Sequence, residues 1–243
     1  MDTPEWIEYQ LQFDLPAEYF QEIPSSGETT THCVIIEPRP HPRLILVIKN
    51  FMYLLQKKGW GLLIYHSSAN ESMLKEGLAG WPNVHYIPVL TNTMTVAEYN
   101  ETLCTPDFWH KLIQYNCRYA LIFQVNTVLL KDNIDDFTEY DYVGATGGLS
   151  LRNVFRMWLI ARGGARIVKT PFGEERFLRN EDAFFRWHLE NTRTRLADPD
   201  VEKQFSISAD WAEDPLSIHN PCIGRFPSYD AFARLLSRRY NPL

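Results

Sequence analysis

Cys33-Val34-Ile35-Ile36-Glu37-Pro38-Arg39-Pro40 is a short, β-branched apolar run that breaks abruptly into charge and proline. An unalternating apolar run of this length suits a strand buried on both faces, as in a parallel sheet covered by helices. The chain that follows repeats the pattern. Pro42 opens a helix in which Leu44, Val47, Ile48, Phe51, Met52 and Leu55 recur at helical spacing, and Gly59 closes it. Gly61-Leu62-Leu63-Ile64-Tyr65 reads as a second strand, ending at His66-Ser67-Ser68. A short helix from Glu71 to Leu78 leads to a third strand, Val84 to Val89.

Two helix starts come next. Thr95-Val96-Ala97-Glu98 fits a capping box, and Thr105-Pro106 is a second cap with proline at the first helical position. A fourth strand, Ala120-Leu121-Ile122-Phe123, follows. Strand–helix alternation at this spacing predicts an α/β fold: a Rossmann-like, mostly parallel sheet with helices on both faces.

The second half is less regular. Asp141 to Ala145 and Leu149 to Leu151 read as strands separated by Gly147-Gly148, and Val154 to Ile160 as a helix. A loop then holds Gly163, Gly164, Pro171 and Gly173. Glu181-Asp182 opens an aromatic helix with Phe184, Phe185 and Trp187. Gln204 to Ile207 reads as a strand, and Asp230 to Arg239 as a closing amphipathic helix. Residues 1–30 mix acids and aromatics without a period and read as an N-terminal arm. No linker divides 31–243, which is expected to form a single domain.

Composition narrows the function. The 243 residues are 45% hydrophobic and 22% charged, which excludes a disordered chain. A net charge of −6, from 24 basic and 30 acidic residues, argues against a duplex nucleic-acid partner. Met1-Asp2-Thr3-Pro4-Glu5 is acidic where a leader would be basic, and Leu44 to Leu55 is broken by Lys49 and Asn50, so no membrane span is expected. Cys33, Cys104, Cys117 and Cys222 form no C-x-x-C pair, which suits reduced thiols and a cytoplasmic protein.

In open parallel sheets ligands bind beyond the carboxyl ends of the strands. The polar residues there are Glu37 and Arg39, His66 and Asn70, Asn92, and Gln124 and Asn126. The last two alternate and share a direction if strand geometry persists. Gly144-Ala145-Thr146-Gly147-Gly148 lacks the G-x-G-x-x-G spacing but would allow close backbone approach. Glu181-Asp182 at a helix start suits either a general base or simple N-capping beside Asn180. His219 lies in the polar segment Ser217-Ile218-His219-Asn220-Pro221, where a surface histidine is the plain expectation.

Val34 to Arg39, Tyr99-Asn100, Phe108-Trp109, Leu121 to Gln124, Tyr140 to Ala145, Gly147 to Arg152, Glu181-Asp182 and His219 occur in an order that resembles an uncharacterised glycosyltransferase-like family of large DNA viruses, fungi and bacteria. The resemblance spans residues 33–222. It implies an A-type glycosyltransferase fold, a nucleotide-diphosphate sugar as donor, a glycan or protein hydroxyl as acceptor, and a divalent metal, Mn²⁺ or Mg²⁺. Under it, Glu37, Arg39, Gln124, Asn126, Gly147, Gly148 and Arg152 face the donor. Asp182 or Glu181 is the catalytic base, and Asn126 and His219 stand near the metal.

The sequence also departs from that pattern. Asn126 replaces an aspartate, which weakens the ion site because Mg²⁺ favours carboxylate oxygen. The glycine segment is shortened, Ser208 stands where glutamate is usual, and Asn220 where lysine is usual. Two functions follow: an active sugar transferase, or an eroded relative that binds a nucleotide sugar, glycan or protein without turnover.

Overall fold

A computed structural model of the chain describes residues 29–144, 148–208, 210–220 and 227–238. Almost all of the expected N-terminal arm, together with Gly147 and Cys222, lies outside the described residues.

The central sheet has six strands in the order β3-β2-β1-β4-β7-β6. They are β1 (Thr31–Ile36), β2 (Gly61–His66), β3 (Val84–Pro88), β4 (Tyr119–Phe123), β6 (Tyr142–Val143) and β7 (Ser150–Asn153). Strands β3, β2, β1 and β4 are parallel, while β7 runs antiparallel to both β4 and β6. Both faces are covered, as the unalternating apolar runs require. Cys33 and Ile35 point to one side with Leu62, Ile64, Leu121 and Phe123, under helix α1 (Leu44–Leu55). Val34 and Ile36 point to the other with Leu63, Tyr65 and Ile122. Trp109 and Leu112 of a helix spanning Pro106–Gln114 and Phe184 and Phe185 of one spanning Glu181–Glu190 cover that side.

In chain order the remaining helices are α2 (Glu71–Gly77), α3 (Val96–Cys104), α4 (Pro106–Gln114), α5 (Val154–Gly163), α6 (Glu181–Glu190), α7 (Pro199–Phe205) and α8 (Tyr229–Arg238). The capping box at Thr95 forms as the sequence predicts, with Thr95 accepting from the Glu98 amide and Glu98 accepting from that of Thr95. Thr105 does not cap α4 with its side chain. Its hydroxyl turns back to donate to the Thr102 carbonyl at 2.7 Å, leaving Pro106 to set the helix start.

A second sheet, β10-β11-β5, is built from β5 (Thr127–Leu129), β10 (Ser206–Ile207) and β11 (Ser217–His219). It changes two expectations. Gln204 and Phe205 belong to α7 rather than to a strand, because Asp198 caps that helix with two side-chain bonds and carries it through Phe205. His219 ends strand β11, opposite Thr127, instead of lying in a surface turn. The expected glycine-rich loop after α5 folds into a hairpin of β8 (Ile167–Lys169) and β9 (Glu175–Phe177), turned with Gly173 at φ +82°.

Strand order places the ligand site. The chain builds outward from β1 through β2 to β3, then crosses to β4 on the opposite side of β1. The crevice between the carboxyl ends of β1 and β4 lies at this reversal. No helix among the described residues is long and apolar enough to cross a membrane. The three described cysteines, Cys33, Cys104 and Cys117, are free and buried.

Asn50, which interrupts the apolar stretch of α1, explains itself here. Its amide donates to the Leu129 carbonyl at 2.9 Å and accepts from the Leu129 amide at 2.8 Å, so a helix side chain satisfies the edge of β5. Replacing it by leucine strands two buried backbone groups. Asn50→Leu should lower unfolding free energy by about 2–4 kcal/mol. Chemical denaturation checks this, and a loss within error of zero would mean that water replaces the amide.

Candidate functional site

The crevice at the strand reversal is a cleft of about 370 Å³. Glu37, Arg39, Gln124 and Asn126 all line it, together with Arg43, Thr95 and Tyr99. The segment after β1 is held stiffly. Ser67 donates its hydroxyl to the Pro38 carbonyl at 2.6 Å, and buried Asn70 donates to the carbonyls of Glu37 and Arg39 at 2.7 and 3.0 Å. Glu37 in turn binds Arg39 through both carboxylate oxygens, each 2.8 Å from a guanidinium nitrogen. His66 and Asn70, also expected at strand ends, therefore divide in role. Asn70 builds the loop, and His66 is buried with its Nδ1 3.0 Å from the Ser67 carbonyl. Asn92, after β3, lies 3.4 Å from the exposed Ser68 hydroxyl and lines neither hollow described here.

Gln124 and Asn126 reach the cleft by a different route from the alternation expected. The strand ends at Phe123, and a turn closed by Thr127 donating to the Gln124 carbonyl at 3.1 Å leads into β5. The Asn126 Oδ1 atom is buried and has no hydrogen-bond partner among the described residues.

A second hollow of about 820 Å³ is lined by Tyr142, Gly144, Asp182, Arg186, Glu202, Ser206, Ser208 and His219, among others. The two hollows approach each other at Gly148, where a lining residue of each packs against the backbone. A Cβ built there would lie 2.0 Å from Cε1 of His219 and 2.7 Å from Oε1 of Gln124, one residue from each hollow, and φ is +61°. Only glycine lets both side chains approach. Asn126 and His219 are also tied through the backbone, the Asn220 amide donating to the Asn126 carbonyl at 3.0 Å. Thus Glu37, Arg39, Gln124, Asn126, Gly148, Asp182 and His219 come together at one end of the sheet. Gly147 lies outside the described residues.

Glu181 and Arg152 sit beneath this surface. Arg152 is 1% exposed, between the rings of Tyr142, Phe185 and Trp109. Its guanidinium grips both carboxylate oxygens of Glu181, contacts Asp182 Oδ1 at 3.2 Å and donates to Ser150 at 2.7 Å. This corrects the expectation that Arg152 meets the donor: the cation is enclosed and its hydrogen bonds are spent inside. Glu181, 3% exposed, is likewise turned inward, away from any acceptor. Burial pushes its carboxyl upward, and the Arg152 guanidinium bound to both its oxygens pulls it back toward the ionised form. Asn180 stands at the cap position of α6 but makes no side-chain cap bond; Asn100 Oδ1, from α3, accepts the Glu181 amide at 2.7 Å instead. Sequence reading missed Asn100 and Tyr142, whose hydroxyl donates to Asp182 Oδ1 at 3.1 Å. Both lie within segments singled out for other reasons, but nothing local marks them as partners of α6.

Burial lowers the His219 imidazole to about 4, with Asp182 opposing, so it is neutral at pH 7. Its Nδ1 lies 3.0 Å from the Thr127 hydroxyl. The residues present do not fit a divalent ion. Among the described residues no three His, Cys, Asp or Glu side chains gather as an ion would require. What faces the junction is two neutral amides, Gln124 and Asn126, one neutral imidazole and one carboxylate already bonded to Arg152 and Tyr142.

Residues 83–219 match the profile of a family described as a protein of unknown function (DUF5672). No curated protein matches. Among solved structures, one named as a nucleotide-diphospho-sugar transferase, from Desulfovibrio desulfuricans G20, is 10% identical, covering 68% of this chain and 78% of its own, with a TM-score of 0.40. The apo-form glycosyltransferase GlyE of Streptococcus pneumoniae TIGR4 is 8% identical, covering 87% of this chain and 63% of its own, with a TM-score of 0.45.

Gly148→Ala adds left-handed strain of about 1–2 kcal/mol and displaces His219 or Gln124. It should lower the melting temperature by a few degrees, read by differential scanning calorimetry, and an unchanged melt would mean the junction is open. Burial also holds His32 near 4. Both imidazoles are harder to protonate when folded, so stability is full above about pH 6.5 and falls as pH drops toward 4. A His32→Gln, His219→Gln double variant should show a shallower fall of melting temperature across that window. An equal slope would mean that other groups carry it.

Proposed function

The chain belongs to the DUF5672 family, and we propose that it is a glycosyltransferase moving a sugar from a nucleotide-diphosphate donor to a hydroxyl acceptor. The observation that carries this is the approach of two unlike hollows at Gly148. One is lined by the paired Arg39 and Glu37, by Arg43 and by amide groups at the strand reversal, and the other includes Asp182 and a neutral His219. The donor diphosphate occupies the first, with Arg39, Gln124 and Asn126 against it. The acceptor, a glycan or protein hydroxyl, enters the second.

In a direct displacement the acceptor oxygen attacks the anomeric carbon while the bond from that carbon to the diphosphate breaks. Asp182 takes the hydroxyl proton, and the leaving diphosphate keeps the electron pair. Tyr142 and Arg152 hold Asp182 Oδ1 from the interior, so the carboxylate enters the reaction already oriented. Glu181 and Arg152 act as positioning residues. Gln124 and His219 supply neutral hydrogen-bonding groups where the two substrates touch.

A second reading is favoured by one observation: an amide, Asn126, stands where the resemblance expects a metal-binding carboxylate. In that reading the chain binds the same nucleotide sugar and does not turn it over. Incubation with a panel of nucleotide sugars and acceptor glycans, with release of nucleoside diphosphate as readout, separates the two. Transfer should be detected for one donor, and Asp182→Asn should lower its rate at least about 100-fold with binding retained. Donor binding with no turnover by the native chain would establish the binding module instead.

A further inference from the structure

We infer that the donor diphosphate is held without a divalent cation, by the guanidinium fork of Arg39 with Arg43 beside it. This rests on the transferase reading and concerns how the same site meets its charge.

A diphosphate needs positive charge, and the donor set at the junction does not offer an ion its usual carboxylate oxygens. The charged side chains lining the first cleft are Glu37, Arg39 and Arg43. Glu37 does not compete for a cation, because both its oxygens are already bound to Arg39. Helix α3 offers no substitute. The first turn of α3 is closed by its own capping box, which places the Glu98 carboxylate there.

Arg39 is suited to the task. Its side chain is 52% exposed, while its carboxylate partner is buried. Glu37 takes the Nε and Nη2 edge, and the Nη1 side of the fork remains for a second anion. The loop beneath it is fixed by Ser67, Asn70 and two prolines, so little side-chain entropy is lost on binding. Paired phosphate contacts from a pre-oriented guanidinium are among the stronger hydrogen bonds available to a protein. Glu37 is thus a positioning residue for Arg39.

Calorimetric titration of the full chain with UDP, GDP, ADP and CDP, each in EDTA and again in Mn²⁺, tests this. One of them should bind in EDTA within about threefold of its affinity in Mn²⁺. Arg39→Ala should weaken that binding by about tenfold or more, and Arg39→Lys by less. Glu37→Gln, which loosens the hold on the Arg39 guanidinium, should weaken it by less than Arg39→Ala does, with the circular dichroism spectrum unchanged. If circular dichroism finds Arg39→Ala unfolded, Arg43→Ala carries the same comparison. Binding that requires Mn²⁺, or that is indifferent to both arginines, overturns the inference and leaves the transferase reading intact. No binding of any nucleotide in either condition overturns the reading itself.

Discussion

The site is organised around a cation that has no access to water. Enclosing the Arg152 guanidinium costs several kcal/mol of hydration, a cost that the fold must offset locally. It does so with two carboxylates from the first turn of α6, a serine from its own strand, and the faces of three aromatic rings. These groups come from β6, β7, α4 and α6, so satisfying one charge fixes four elements. The position of Asp182 follows from this: its neighbour Glu181 is drawn inward against Arg152, and the next residue of the helix faces the hollow.

The two sides of the junction carry different groups. The cleft at the strand reversal holds Arg39, paired with Glu37, together with Arg43 and two amides, and Asp182 stands on the other side of Gly148. Glycosyl transfer builds negative charge on the departing diphosphate while releasing a proton from the acceptor, so it needs unlike groups on its two sides. Burial keeps His219 from adding a positive charge between them.

Much of this was legible in the sequence because it is local. The buried strands announce themselves as unalternating apolar runs, and Thr95-Val96-Ala97-Glu98 forms the cap its spacing requires. The strand-end residues Glu37, Arg39, Gln124 and Asn126 reach the cleft because parallel strands expose their carboxyl ends together. What stayed hidden depends on contacts far apart along the chain. Nothing near Arg152 reveals that Glu181, 29 residues on, will claim it. Short strands such as β10 and β11 carry too few residues to show a period, so His219 reads as a surface turn until β5 pairs with it. Asn50 looks like a flaw in an apolar helix, and only the edge of β5 shows its purpose.

A crystal structure of the chain with a bound nucleotide sugar tests the central claim most directly. The diphosphate should lie within hydrogen-bonding distance of Arg39, with the sugar passing over Gly148 so that its anomeric carbon faces the hollow of Asp182 and His219. A nucleotide sugar seated anywhere else, or one whose sugar points away from Asp182, would contradict the account.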